Sequence, residues 1–413
     1  MSAARSFEPR AMSSADSGHV AQRGATSTVV SSLPSSGIRR FFEMLDSMEG
    51  VISLGVGQPD FPTPPQITRA GMDAMVDGRT GYTSNYGLLE VRQLLSEQLS
   101  RRYGVDYSPR TEILLTTGVS EALDLACRAL IDPGDEVLVP EPAYVAFQPV
   151  ILLAGGRYAA VPTTAAEAFM VAAEQLEARI TPATKAVILA YPSNPTGAVM
   201  SRAALEAVAE VVRRHDLWVI SDETYDRLVY GHDHVCFPSI AGMRERTVLL
   251  GGFSKAYAMT GWRLGFAAAP PLVLEEMMKV HQYVMMSAPS AALYAALEAL
   301  RSGEEDVRGM QAEYDRRRRL VLGRLRNMGL PVVEPHGAFY IFPDVTSTRL
   351  TDLEFCERLL VEERVAVIPG GSFGDSGKGF VRICYATAYA DLEEAMDRLD
   401  RFVARRRAEV GTK

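Results

Sequence analysis

An α/β fold built on a mostly parallel sheet is what this sequence predicts, and three observations carry the prediction. Short apolar runs recur along the chain. They are separated by helix-sized intervals with helical periodicity, and most are apolar throughout rather than alternating. Continuous apolarity means burial on both faces, and strands buried on both faces and joined by helices form a mostly parallel sheet covered by helices. With 413 residues the chain has material for two or three domains.

Residues 1–33 are rich in Ser, Ala, Gly and Thr without periodicity and read as a disordered tail. Arg5, Arg10 and Arg23 among serines give a faint transit-peptide character, outweighed by Glu8, Asp16 and the lack of a sustained amphipathic helix. Residues 34–60 are expected to form an arm that helps complete a smaller domain. A large domain is expected over 61–300. In it Leu88 to Tyr103 reads as a helix, Glu112 to Thr116 as a strand and Ser120 to Ile131 as a helix. The runs Glu136 to Pro140, Lys185 to Tyr191, Leu217 to Ser221, Thr247 to Gly252 and Leu264 to Ala269 read as strands. Two long helical patterns follow, at about 271–300 and 304–328. Over 301–413 a smaller α+β domain is expected, with strands at Phe339 to Pro343, Ala366 to Pro369 and Phe380 to Tyr385 beside helices at 352–363 and 389–407.

Composition narrows the function. The chain is 47% hydrophobic and 23% charged, ordinary for a soluble globular protein. Its net charge of −8 argues against a nucleic-acid binder relying on a basic surface. The basic runs at Arg316 to Arg319 and Arg405 to Arg407 lie near Glu313, Asp315 and Asp400 and read as solvated helix faces. Cys127, Cys236, Cys356 and Cys384 are scattered without Cys-x-x-Cys spacing, so neither a zinc nor a disulfide framework is expected, and a reducing, cytoplasmic setting fits. The apolar runs are too short to span a bilayer.

Four polar motifs each follow a predicted strand, at the carboxyl edge where open α/β sheets bind ligands. They are Gly118-Val119-Ser120, Pro192 to Gly197, Asp222-Glu223-Thr224-Tyr225 and Ser254-Lys255. A lysine at the end of a buried strand has a desolvated amine, which favours the neutral, nucleophilic form that condenses with an aldehyde cofactor. Gly118-Val119-Ser120 opens a helix, whose N–H groups and dipole favour a phosphate. Ser254 and Arg263 would add a hydroxyl and a charged fork. Asp222 needs a cationic partner such as a protonated pyridine nitrogen. Tyr225 and Asn194 would donate to a ring oxygen, and Tyr144 would stack on a flat ring. Taken singly, each has a bland reading: a turn, a helix cap, a packed aromatic, a lysine reaching solvent. Jointly, in this order and on these strand ends, the bland readings fail.

The motifs Tyr191-Pro192-Ser193-Asn194-Pro195-Thr196-Gly197, Ser221 to Tyr225, Ser254-Lys255 with Thr260-Gly261-Trp262-Arg263, and Arg382 in Phe380-Val381-Arg382-Ile383 together resemble the fold-type-I, pyridoxal-phosphate-dependent class I/II aminotransferases over roughly 36–403. The resemblance implies a seven-stranded, mostly parallel sheet sandwiched by helices, plus the smaller domain. It implies pyridoxal 5'-phosphate as cofactor, with Lys255 as the lysine that carries it and Asp222 keeping the pyridine protonated. It also implies Tyr225 and Asn194 at the ring oxygen, Tyr144 on the ring, and Gly118, Val119, Ser120, Ser254 and Arg263 around the phosphate. Arg382 would grip the substrate carboxylate, assisted by Asn194 and the Gly57 backbone. Tyr82 matches a tyrosine that reaches the partner subunit's phosphate, which implies a homodimer with shared sites.

Two positions depart from the animal-type aspartate enzymes. Gly252 stands where they have serine, and Tyr283 aligns with their partner-subunit arginine for a distal carboxylate. An aromatic or broad-specificity pocket becomes the more plausible expectation. The blocks Lys279 to Tyr283 and Gly337 to Phe342 resemble bacterial aromatic and N-acetyl-diaminopimelate aminotransferases. Rival readings on the same scaffold are a carbon–sulfur β-lyase and an aminocyclopropane-carboxylate synthase. A non-catalytic ligand-sensing domain of a transcription regulator is disfavoured, because about 33 residues before the body are too few for a helix-turn-helix module. A dinucleotide-binding dehydrogenase is disfavoured because Gly55-Val56-Gly57 lacks the third glycine and the helix, and Gly370 to Gly379 fails P-loop spacing.

Overall fold

The computed structural model describes residues 26–33 and 48–411. In the first stretch Thr28–Ser31 forms one helical turn, with the Ser27 hydroxyl accepting from the Val30 N–H; the rest of the predicted tail and the first part of the predicted arm lie outside the described residues.

In chain order the strands of the main body are β1 (Ile52–Ser53), β2 (Ile113–Thr116), β3 (Glu136–Glu141), β4 (Arg157–Pro162), β5 (Thr184–Leu189), β6 (Trp218–Asp222), β7 (Thr247–Gly252), β8 (Gly265–Ala268), β9 (Tyr340–Ile341), β10 (Val365–Ala366), β11 (Ile368–Pro369) and β12 (Val381–Cys384). Seven of them make one sheet in the order β2-β8-β7-β6-β5-β3-β4. The strands β4, β3, β5, β6 and β7 run parallel. Strand β8 is antiparallel to both β7 and β2, so β2 runs with the majority. Every residue of β2 and β8 is buried, as continuous apolar runs require, whereas edge strand β4 exposes Arg157 and Pro162. Its mixed burial explains why β4 carries little signal in the sequence.

The helical pattern expected over 271–300 is two helices, Pro271–Val284 and Ser290–Ser302. Pro289 separates them: it has no N–H and restrains the residue before it from helical backbone. The pattern at 304–328 is one helix, Glu304–Asn327. In the C-terminal region β12 lies between β9 and β11 in a three-stranded antiparallel sheet, and β1 pairs in parallel with β10. The chain near residue 52 is thereby tied to the region around 365. A continuous apolar cluster runs under these small sheets and includes Leu54, Tyr225, Tyr314, Phe339 and Phe402.

Candidate active site

The carboxyl edge of the main sheet opens onto a cavity of about 510 Å³. Val119, Ser120, Tyr144, Asn194, Asp222, Tyr225, Ser254, Lys255, Arg263, Arg382 and Gly57 all line it. Segments far apart in sequence meet there because β2, β5, β6 and β7 are parallel and end at one edge. Arg263 reaches the same edge by the opposite route. It precedes β8, whose reversed direction brings its amino end there. The Thr260–Trp262 turn delivers Arg263 with φ 54°, a left-handed conformation that costs a non-glycine residue about 1 kcal/mol.

Gly118 lies just behind the cavity lining, at φ 78°, as cap of the helix Val119–Leu130. A Cβ there would stand 2.5 Å from Arg263 Nη2, so glycine is what lets the guanidinium lie against the helix start. The departure at Gly252 has a packing reason too: a Cβ there would meet Val119 Cγ2 at 2.8 Å. Helix N–H groups, the Ser254 hydroxyl and the Arg263 fork together make one end of the cavity suited to an anion.

Lys255 Nζ donates to the Gly57 carbonyl at 2.7 Å and lies over the rings of Tyr225 and Phe339. Burial, aided by the Arg382 and Arg263 charges, brings its amine down to about 8. Asp222 accepts from the Thr224 N–H at 3.1 Å and the Thr224 hydroxyl at 2.7 Å. Both bonds fall on Oδ1, leaving Oδ2 for a ligand. Burial pushes the Asp222 carboxyl up, against the pull of the Thr224 hydrogen bonds. Burial also pushes the Tyr225 and Tyr144 phenols up. Asn194 Oδ1 accepts from Arg382 Nη1 at 2.9 Å, and the Gly55 carbonyl accepts from Arg382 Nη2 at 2.6 Å. The guanidinium lies over the rings of Tyr340 and Phe373, and its buried Nε has no hydrogen-bond partner among the described residues.

Besides Gly118, just behind the lining, Tyr82 is the predicted site residue that the cavity does not include; it is 85% exposed. The sequence reading missed Tyr340, Thr224 and Thr260, which line the cavity. Tyr340 donates to or accepts from Tyr225 through their hydroxyls, 2.8 Å apart. Nothing in an apolar strand marks a tyrosine whose hydroxyl turns to a cavity. Thr224 had a signal, since a hydroxyl two residues after an aspartate commonly bonds it.

The donor set fits a flat ring bearing an anionic substituent. One end suits a phosphate, a buried carboxylate with an open oxygen suits a ring cation, and an amine of lowered basicity lines the same cavity. A parallel-rich α/β sheet with such a site at its carboxyl edge suits an enzyme that works on a bound organic cofactor. Comparison with known proteins makes this specific: residues 49–399 match the family described as Aminotransferase class I and II, and the chain belongs to it. It is 45% identical over 369 residues to an aspartate aminotransferase of Pyrococcus abyssi, covering 89% of this chain and 95% of that one. It is 44% identical over 369 residues to aromatic-amino-acid aminotransferase 2 of Thermococcus litoralis, with the same two coverages. The solved aromatic aminotransferase of Pyrococcus horikoshii superposes with a TM-score of 0.85 at 45% identity, over 89% of this chain and 99% of that one. The protein is an aminotransferase of fold type I. Among the described residues no helix is long and apolar enough to cross a membrane.

Proposed function

We propose that this aminotransferase moves the α-amino group of an L-amino acid to a 2-oxo acid, 2-oxoglutarate in particular, in two alternating half-reactions, with pyridoxal 5'-phosphate in the 510 Å³ cavity. The convergence of Lys255, Asp222 and Arg382 on that one cavity is the observation that carries the reading. When bound, the cofactor supplies an aldehyde that condenses with amines and a protonated ring that accepts the electron pair left at the substrate α-carbon.

The protein's residues divide the remaining work. Val119, Ser120, Ser254 and Arg263, with Gly118 giving the guanidinium room, would hold the phosphate. Asp222 would hold the ring cation and Tyr225 and Asn194 the ring oxygen, and Tyr144 would cover the ring. Arg382 binds the substrate α-carboxylate, with Asn194 and the Gly57 backbone assisting. Lys255 Nζ, with its amine brought down to about 8, takes the α-proton as base and returns it as acid. A smaller C-terminal domain, to which β1 is tied through β10, closes over substrate and excludes water. Tyr82 serves the partner's site in a homodimer, a role supported by its exposure. A cytoplasmic setting accords with four unpaired, buried cysteines.

Relatives of nearly equal identity carry both aspartate and aromatic names, so identity alone does not select the donor. Tyr283 in place of a distal arginine favours aromatic or broad specificity. The test is a donor screen against 2-oxoglutarate with aspartate, phenylalanine, tyrosine, alanine and N-acetyl-diaminopimelate. Stoichiometric amino transfer is expected. Continuous release of ammonia or thiol from the amino acid alone would instead mean a lyase. Loss of turnover in Lys255→Ala is expected, and normal transamination by that variant would sink the proposal.

A further inference from the structure

Behind Asp222, on the opposite face of the sheet, lies a buried polar cluster that the reaction does not use. Side chains alternate along a strand, so Ser221 and Glu223 point away from the cavity that Asp222 lines. The ladder continues through Glu223, whose N–H donates to the Leu250 carbonyl. Glu223 is almost fully buried and fully engaged. Its Oε1 accepts from the Ser221 hydroxyl at 2.9 Å and the Phe237 N–H at 2.8 Å, and its Oε2 accepts from His234 Nε2 at 2.6 Å. The His234 side chain is 6% exposed.

Three carboxylates thus stand within five residues, at 222, 223 and 226, all at the end of β6. Asp226 accepts from the Tyr103 hydroxyl at 2.6 Å, and the Tyr103 ring meets His234 edge-on at 5.4 Å. Arg227 is spent on Glu304, which also pairs with Arg102. Cys236 adds a buried thiol beside Glu223, and Glu223, Asp226, Arg227, Arg102 and Tyr103 line a cavity of about 50 Å³ on this face. His234 is the one basic side chain bonded to Glu223 among the described residues.

We propose that His234 is a positioning residue for the Asp222 carboxylate: paired with Glu223 across the sheet, it cancels the neighbouring negative charge, so that Asp222 can stay ionised toward the cavity. Two unpaired carboxylates on adjacent residues in a low-dielectric strand end repel, and one of them must take up a proton. With Glu223 neutralised, Asp222 escapes that repulsion. The protonation preferences point the same way. Burial alone would lower His234, but the Glu223 charge and hydrogen bond, with Asp226, raise it overall. Glu223 is also among the groups that push Asp222 up.

The inference rests on Asp222 facing the cofactor ring, and its test separates the two claims. His234→Gln keeps a donor for Glu223 and removes the charge. Protein loaded with pyridoxal 5'-phosphate is titrated through its visible absorbance, and cofactor affinity is measured on the apoprotein. In His234→Gln the absorbance midpoint should rise by about 0.5 to 1 pH unit, because an uncompensated anion holds nearby protons more tightly. Cofactor affinity should fall several-fold above neutral pH. Adding Glu223→Gln removes the uncompensated charge and should return the midpoint to within about 0.2 unit of wild type. The double variant also keeps the test decisive should His234→Gln fold poorly, because it carries no buried unpaired charge. A midpoint unmoved in His234→Gln, or one displaced in the double variant, overturns the proposal. Absence of any visible band in wild-type protein would instead overturn the cofactor assignment.

Discussion

Gly57→Ala is expected to damage the site through one collision. Gly57 lacks the left-handed backbone that makes other glycines obligatory, so the effect of an added side chain there is purely steric. An added Cβ would stand 2.2 Å from the Tyr340 hydroxyl oxygen, then 3.1 and 3.3 Å from the nearest ring carbons. Ordinary contact needs about 3.4 Å, so the hydroxyl or the Gly57 backbone must move by about 1 Å. Tyr340 cannot swing aside freely. It is 1% exposed, bonded to the Tyr225 hydroxyl at 2.8 Å and covered by the Arg382 guanidinium at 4.6 Å. The backbone is tied as well, since the Gly57 carbonyl accepts from Lys255 Nζ. Either movement shifts groups placed at the reacting centre, and a 1 Å misplacement costs on the order of 100-fold in rate. Loss of the buried Tyr225–Tyr340 bond would take about 1 kcal/mol of stability as well. The assay is steady-state kcat/KM, measured for Gly57→Ala, Tyr340→Phe and the double variant. Phenylalanine removes the oxygen at 2.2 Å and leaves only the two ring carbons close. Gly57→Ala should therefore cost roughly 100-fold beside tyrosine and less than about 10-fold beside phenylalanine. Equal losses in both backgrounds would refute the collision as the cause.

Two further outcomes are expected. Lys255 has its folded-state value depressed to about 8, so between about pH 8 and the unfolded value near 10.4 the unfolded chain holds the proton and the folded apoprotein does not. Wild-type apoprotein should gain stability as pH rises through that window, and Lys255→Met, lacking the proton, should not; thermal melts of the two apoproteins at pH 7 and pH 10 check this. Arg382→Lys keeps the charge but loses the fork that meets Asn194 and Gly55, and should cost kcat/KM roughly 10- to 100-fold, as expected for one or two charge-assisted bonds. Saturation curves with one donor amino acid decide it, and an unchanged KM would remove Arg382 from carboxylate binding.

The sequence alone determined the sheet's apolar strands and the local chemistry attached to their ends. Lys255 behind Val248 to Phe253, Asp222 behind Leu217 to Ser221 and Asn194 behind Lys185 to Tyr191 were legible because strand burial and turn chemistry act over a few residues. Parallel strands send their carboxyl ends to one edge, so these motifs had to meet. Only the tertiary structure decided what depends on direction and depth. It set the antiparallel course of β8 that carries Arg263 to the anion end, and the break at Pro289 between two helices. It also set the turn of Tyr340 into the cavity and the pairing of Glu223 with His234 on the hidden face. Contacts at the site join residues as much as 327 positions apart, as Arg382 and Gly55 are, and no periodicity along the chain encodes which distant side chain fills a given space.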